Sequence, residues 1–151
     1  MSESFREANE RKVVSRASAQ DLGTVSHLLV DAGRRRVAAV VVGRGRRARL
    51  VDWAGLSSFG PDAVMVADEA SLRPPGDDRE RDGAHGKLEI VGKRALTDRG
   101  NDLGVVDDVT FDAATGALEM LRIGDRDIPS GSLLGSGSYA VVLDSVPETG
   151  G

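Results

Sequence analysis

Cysteine is absent from the 151-residue chain, which excludes disulfides, thiol nucleophiles and thiolate metal sites. Histidine is nearly so: His27 and His85 are the only two, far apart in sequence and without ligand-like neighbours, and both read as surface side chains rather than a metal or catalytic centre. Large aromatics are scarce, with one Trp, one Tyr and three Phe. Long apolar runs are missing as well. The longest, Val37 to Val42, falls far short of the roughly 20 residues needed to span a bilayer as a helix. The opening residues MSESFREANERK are polar and charged, without the apolar core of a signal peptide, so the expectation is a cytoplasmic protein. Phosphate-loop and dinucleotide signatures are lacking too, because Gly43-Arg-Gly45 and Gly135-Ser-Gly137 have no helix after them to hold a phosphate.

What the chain does contain is one stretch written twice. Asp21 to Gly43 (DLGTVSHLLVDAGRRRVAAVVVG) and Asp102 to Gly124 (DLGVVDDVTFDAATGALEMLRIG) align without a gap at an offset of 81, which is 102 minus 21. Asp21/Asp102, Leu22/Leu103, Gly23/Gly104, Val25/Val106, Asp31/Asp112, Ala32/Ala113 and Gly43/Gly124 are identical. Such a period implies two structural units, each small enough to be thinly cored alone, so packing of one against the other is expected.

Each copy reads as strand, turn, strand. Gly23 to Val30 is rich in Val and Leu, and Asp31-Ala-Gly then supplies a turn, as Asp112-Ala-Ala-Thr-Gly does later. In both copies the apolar side chains break step at one place, Val25 against Leu28 and Val106 against Val109, which predicts a shared bulge of the kind that curls a barrel strand. Val37 to Val42 is apolar throughout, whereas its counterpart LEMLRI carries Glu119 and Arg122. The first copy is thus expected to cover this strand on both faces, the outer cover coming from the second repeat or from another molecule. Residues 1–11 read as a frayed lead-in and Ala70 to Gly86 (ASLRPPGDDRERDGAHG) as a solvated linker. Leu88 to Val91 is strand-like, and Pro147 to Gly151 reads as an unstructured tail.

The pattern of each copy, dLGxVxxLxVDxxxxxVxxLxVG followed by a short strand, a turn and a closing strand, resembles the PRC-barrel over Lys12–Ala67 and Lys87–Asp144. That small β-barrel occurs in the photosynthetic reaction centre H subunit and in the small-subunit ribosome maturation factor. The resemblance implies an all-β chain of two small barrels in tandem, at 12–69 and 87–146 with a linker at 70–86, packed about a pseudo-twofold axis. It further implies no intrinsic catalysis, no cofactor, and a role in docking or assembly. With no membrane helix or RNA-factor domain expected ahead of the barrels, neither family role is expected to transfer, and no functional residues map across.

Four motifs are weighed on their own chemistry. Asp78-x-Glu80-x-Asp82-Gly83 with Glu89 approximates a calcium loop, but its third place is Glu, its eighth is His85, and Pro74-Pro75 leaves no room for a flanking helix. It reads as a chance match. Asp98, Asp102, Asp107, Asp108 and Asp112 invite a paired-carboxylate reading; Asp102 and Asp112 instead match turn residues of the first copy, and the others form an acidic face. The net charge of −4 divides unevenly, +2 over residues 1–70 (11 basic, 9 acidic) and −6 over 71–151 (9 basic, 15 acidic). Arg34, Arg35, Arg36, Arg44, Arg46, Arg47 and Arg49 crowd two neighbouring segments and carry the alternative function, an RNA- or ribosome-associated factor. The favoured reading is a non-enzymatic module acting through protein–protein contacts. Ala39, Val41, Trp53 and Phe59 are the candidate inter-barrel or partner surface, and a second copy of the chain is among the partners considered.

Overall fold

The computed structural model describes residues 2–145. The expected tail at Pro147–Gly151 and the final position of the second expected barrel, 146, lie outside the described residues. The chain opens with β1 (Ser2–Ser4) and a single helical turn, α1 (Phe5–Ala8), started by the Ser4 hydroxyl accepting from the Glu7 amide. The first repeat follows as β2 (Lys12–Ser15), β3 (Asp21–Asp31), β4 (Arg36–Val42), β5 (Arg49–Asp52), β6 (Leu56–Phe59) and β7 (Ala63–Val66). They form one sheet in the order β5-β4-β3-β2-β7-β6, with β2 and β7 parallel and every other pair antiparallel. Helix α2 (Asp78–Ala84) comes next. The second repeat is β8 (Arg94–Thr97), β9 (Asp102–Asp112), β10 (Leu118–Ile123), β11 (Arg126–Pro129), β12 (Leu133–Ser136) and β13 (Ala140–Leu143). Its order, β11-β10-β9-β8-β13-β12, repeats the first, and β8 and β13 are again its parallel pair. The fold is thus all-β, two small curled sheets in tandem.

The irregularities repeat along with the strands. A bulge at Ser26 between β3 and β4 recurs at Asp107 between β9 and β10, where the broken alternation placed it. A second sits at Ala38 and Glu119, a third at Leu22 and Leu103, a fourth at Ser57 and Leu134. Asp21 and Asp102 each accept from an amide two residues on, at 2.8 Å, and Asp31 and Asp112 each accept from an amide three residues on, Arg34 and Thr115, to close their hairpins. Lys12 pairs with Asp21 as Arg94 pairs with Asp102.

The two hairpin tips meet at the symmetry axis. Arg36 bridges Ala117, its own counterpart at the 81-residue offset. The flanking hydrogen bonds are mirror uses of one bond: Val37 N–H to Gly116 O at 2.8 Å and Leu118 N–H to Arg35 O at 2.9 Å. A contact in which each residue meets its equivalent is the mark of a twofold interface. The interiors fill with Val, Leu and Ile, among them Val13, Val40, Val64, Val109, Leu121 and Val141, all fully buried, and both repeats share one continuous core.

Three segments differ from expectation. Residues 2–8 are not frayed: β1 pairs with β9 of the second repeat, and Phe5 and Ala8 are buried. The reason is the aromatic payload of Phe5, whose burial outweighs the polarity of its neighbours. The 70–86 segment, expected as a solvated linker, is ordered rather than loose, with only Gly83 and Ala84 buried. Arg73 pairs with Leu50 at the edge of β5, and α2, capped by Asp77, folds back over the first repeat. Gly83 lets that helix approach: a Cβ there would lie 2.2 Å from Leu29. Leu88–Val91, finally, is a turn rather than a strand, with Ile90 buried in the shared core.

Candidate functional site

The four residues offered as an inter-barrel or partner surface are all buried, and two of them, Trp53 and Phe59, do pack between the repeats. Ala39 and Val41 lie with Ala48, Leu50 and Ala84 in a separate small cluster, backed by Leu29. Their cover is α2, supplied by neither the second repeat nor another molecule. This also accounts for Glu119 and Arg122 in β10, where no such helix lies and a polar outer face meets water. Trp53 stacks on Phe59 at 5.6 Å between ring centroids, and both meet Phe111 of the second repeat edge-on, at 6.0 and 5.3 Å. Phe5 adds a fourth ring against Phe111 at 5.5 Å. The chain's one Trp and all three Phe thus form a single plug between repeats. Trp53 also lies on Gly116, whose φ of +79° and missing Cβ make room for the indole. These positions hold the molecule together and are not open to a partner.

The seven arginines do not form one face. Arg34 sits at the β3–β4 tip beside Asp31, Arg35 donates to the Leu133 carbonyl across the inter-repeat seam, and Arg36 donates to the Thr115 carbonyl. Arg44, Arg46, Arg47 and Arg49 lie at the other end of β4, about 20 Å away at the usual rise per strand residue. The first three serve the hairpin and the seam. The latter four are exposed and have no carboxylate partner among the described residues.

The calcium-like carboxylates are spread over separate partners. Asp78 pairs with Arg81, Glu80 with Arg73 at 2.5 Å, Asp82 with Lys87, and Glu89 contacts His27. Arg73 also holds Asp52 at 2.8 Å, so this network ties the linker to β5. The Arg73 guanidinium keeps the Glu80 carboxyl down at about 2, and in turn is itself held protonated well beyond its ordinary range by Glu80 and then Asp52. Two of the three acidic-face carboxylates are engaged: Asp98 accepts from the Ser145 amide and Asp108 from the Arg6 amide, while Asp107 is exposed. Among the described residues no three His, Asp or Glu side chains are grouped as metal ligands would be.

One ion pair gave no sequence signal. Arg11 Nη2 lies 3.0 Å from Glu3 Oε1, with both side chains 8% exposed. Its other Nη donates to the Gly60 carbonyl at 2.9 Å, and the guanidinium lies over the Phe59 ring at 5.3 Å. This pair clamps β1, a strand of the second sheet, onto the first repeat. Glu3 sits in a stretch whose composition reads as solvent-facing.

The exposed large apolar side chains among the described residues are Val105, Met120, Leu134 and Tyr139, the last 79% exposed. All four belong to the second repeat. No helix among the described residues is long and apolar enough to cross a membrane.

Duplicated six-stranded curled sheets, joined tip to tip about a twofold axis and plugged by aliphatic side chains, define an internally duplicated small-barrel protein. The PRC-barrel domain model matches residues 2–73 and 88–145, and the chain belongs to that family. No curated protein matches it.

Proposed function

We propose that the protein is a non-catalytic docking or assembly module that engages a protein partner through the outer surface of its second repeat. The asymmetry between the copies carries this reading. The first repeat covers the outer face of β4 with α2, while the exposed large apolar side chains among the described residues all lie on the second. Apolar side chains left in water on one half only are where a protein contact gains most. The interiors are filled by Val, Leu and Ile, and the carboxylates of the calcium-like stretch are taken up in ion pairs, which supports a role for the outer surface.

The experiment is quantitative affinity capture from the native cell, comparing the parent chain with Tyr139→Ser/Leu134→Ser and with Arg34→Gln. Analytical ultracentrifugation on the same samples reports self-association. The captured set, or the self-association, should fall with the first variant and persist in the second, with thermal stability unchanged in both. Capture and association indifferent to Tyr139 and Leu134 would refute this surface.

A further inference from the structure

We propose that the edge of β3 is an open strand slot that takes an extended, basic segment of a partner protein. The twin of this slot, on the other side of the twofold axis, is already filled. There β1 lies along β9 with Glu3 opposite Phe111, and Arg11 ties Glu3 to the Gly60 carbonyl just beyond β6. The twofold relation puts an equivalent slot beside β3, toward β12. At the 81-residue offset Phe111 becomes Val30, and the turn at Gly60 recurs at Gly137: Gly60 donates to Ala63 at 3.0 Å, Gly137 to Ala140 at 3.1 Å. Among the described residues no strand pairs with Leu29–Asp31 on that side. At the offset of 82 that relates Glu10 to Gly92, the counterparts of Ser2–Ser4 are residues 84–86, which end α2 and turn back instead of pairing. A hollow of about 490 Å³ remains, bordered by Val30, Asp31, Gly135 and Ser136.

The backbone there is oriented to pair. Val37, opposite Val30 on β4, gives its N–H to Gly116, just as Leu118, opposite Phe111, gives its own to Arg35. Neither pair exchanges hydrogen bonds, so the N–H and C=O of Val30 turn away from β4, as those of Phe111 turn toward β1. The Val30 carbonyl accepts from Arg79 Nη2 at 3.4 Å, a bond long enough, from a side chain exposed enough, to yield to a strand amide. Main-chain hydrogen bonds of this kind hold a peptide added to a sheet edge, and flanking side chains select its sequence. Here Asp31, Asp52, Asp77 and Glu80 border the hollow beside one guanidinium, Arg79. Arg73 serves Asp52 and Glu80, and Arg34 stands by Asp31, which leaves Asp77 with no cation partner among the described residues. Four carboxylates against three guanidiniums favour a lysine or arginine in the incoming segment. The slot goes beyond the docking surface proposed above and does not rest on Tyr139 or Leu134, whose side chains are not part of its lining.

The test is an NMR titration of the full chain with residues 2–10 made as a separate peptide carrying Glu3→Lys, following the amides of Val30, Asp31, Ser136 and Gly137. Saturable shifts confined to these positions are expected, with a Kd on the order of 1 mM. Methylating the backbone nitrogen of that lysine should weaken binding about tenfold, because it removes the N–H that Val30 accepts. The peptide with its original glutamate should bind about threefold more weakly. Gly135→Leu in the protein, where a Cβ meets nothing within 4 Å, should abolish binding and leave the melting temperature unchanged. Arg79→Gln should not weaken it, since that side chain only occupies the Val30 carbonyl. Shifts at Thr110 and Phe111 instead, indifference to the methylated nitrogen, or loss of binding with Arg79→Gln would overturn the slot. A glutamate peptide that binds as tightly as the lysine one would overturn the basic partner.

Discussion

Removing Arg11 should cost the protein a large part of its stability. The guanidinium and the Glu3 carboxylate face each other at 3.0 Å with little water at either, and Arg11 also donates to Gly60. Unit charges about 4 Å apart attract by about 4 kcal/mol at an effective dielectric constant near 20. Stripping one partner leaves the other charged and buried, which typically costs about 3–5 kcal/mol. A domain holds only about 5–15 kcal/mol in total. Arg11→Ala is therefore expected to lower the urea midpoint by about 2 M, taking a slope near 2 kcal/mol per molar. Glu3→Ala should cost somewhat less, because Arg11 keeps its carbonyl partners. Replacing both ends, as Glu3→Leu/Arg11→Met, should recover most of the loss, since apolar packing substitutes well for a desolvated pair. If Arg11→Ala costs under about 1 kcal/mol, the value of an exposed pair, the clamp is solvated and β1 is not docked as described.

Gly116→Ala should destabilise by about 2–4 kcal/mol, combining the left-handed backbone cost with overpacking, because its Cβ would lie 2.8 Å from Trp53. Fluorescence of the single Trp during urea unfolding reads it directly, and a loss under about 1 kcal/mol would show that the indole is not seated there. Glu10→Gly should instead stabilise by about 0.5–1 kcal/mol: Glu10 holds a φ of +68° where its counterpart Gly92 holds +91°. A lower melting temperature would contradict the strain. Glu80 is depressed from its ordinary 4.5 to about 2, so its stabilising contribution is complete above about 4.5 and is lost as pH falls toward about 2. With Arg73 a third exposed, that contribution is about 1 kcal/mol at most, and Glu80→Gln should flatten the acid limb of the stability profile by that amount. An unchanged limb would mean the pair does not persist in solution.

The repeat was legible because a duplicated sequence must duplicate its turns and bulges. Asp21 and Asp102, the break of step at Val25 and Val106, and the hairpin glycines each carry a local rule that acts alike in both copies. The all-apolar Val37–Val42 announced a second cover but not its source, because α2 is short, charged and rich in residues that also suit a loop. Only Gly83 and Ala84 of that helix are buried, and two small residues leave no periodic trace. Ala38, apolar in sequence, proves exposed because it is the bulged residue. The arginine cluster misled for a geometric reason: nearness in sequence across a strand means the two ends of that strand. The His27–Glu89 contact joins residues 62 apart through a turn that reads as a strand, so no spacing rule reaches it.

Because β1 belongs to the second sheet while β2 belongs to the first, neither half is self-sufficient. A fragment ending before β8 would carry a strand with no β9 to receive it, and a fragment beginning at β8 would leave the β9 edge bare. Each would satisfy itself by borrowing from a twin. Fusing the copies into one polypeptide replaces an encounter between two molecules by a tether, so assembly of the pair no longer depends on concentration and melts as one event.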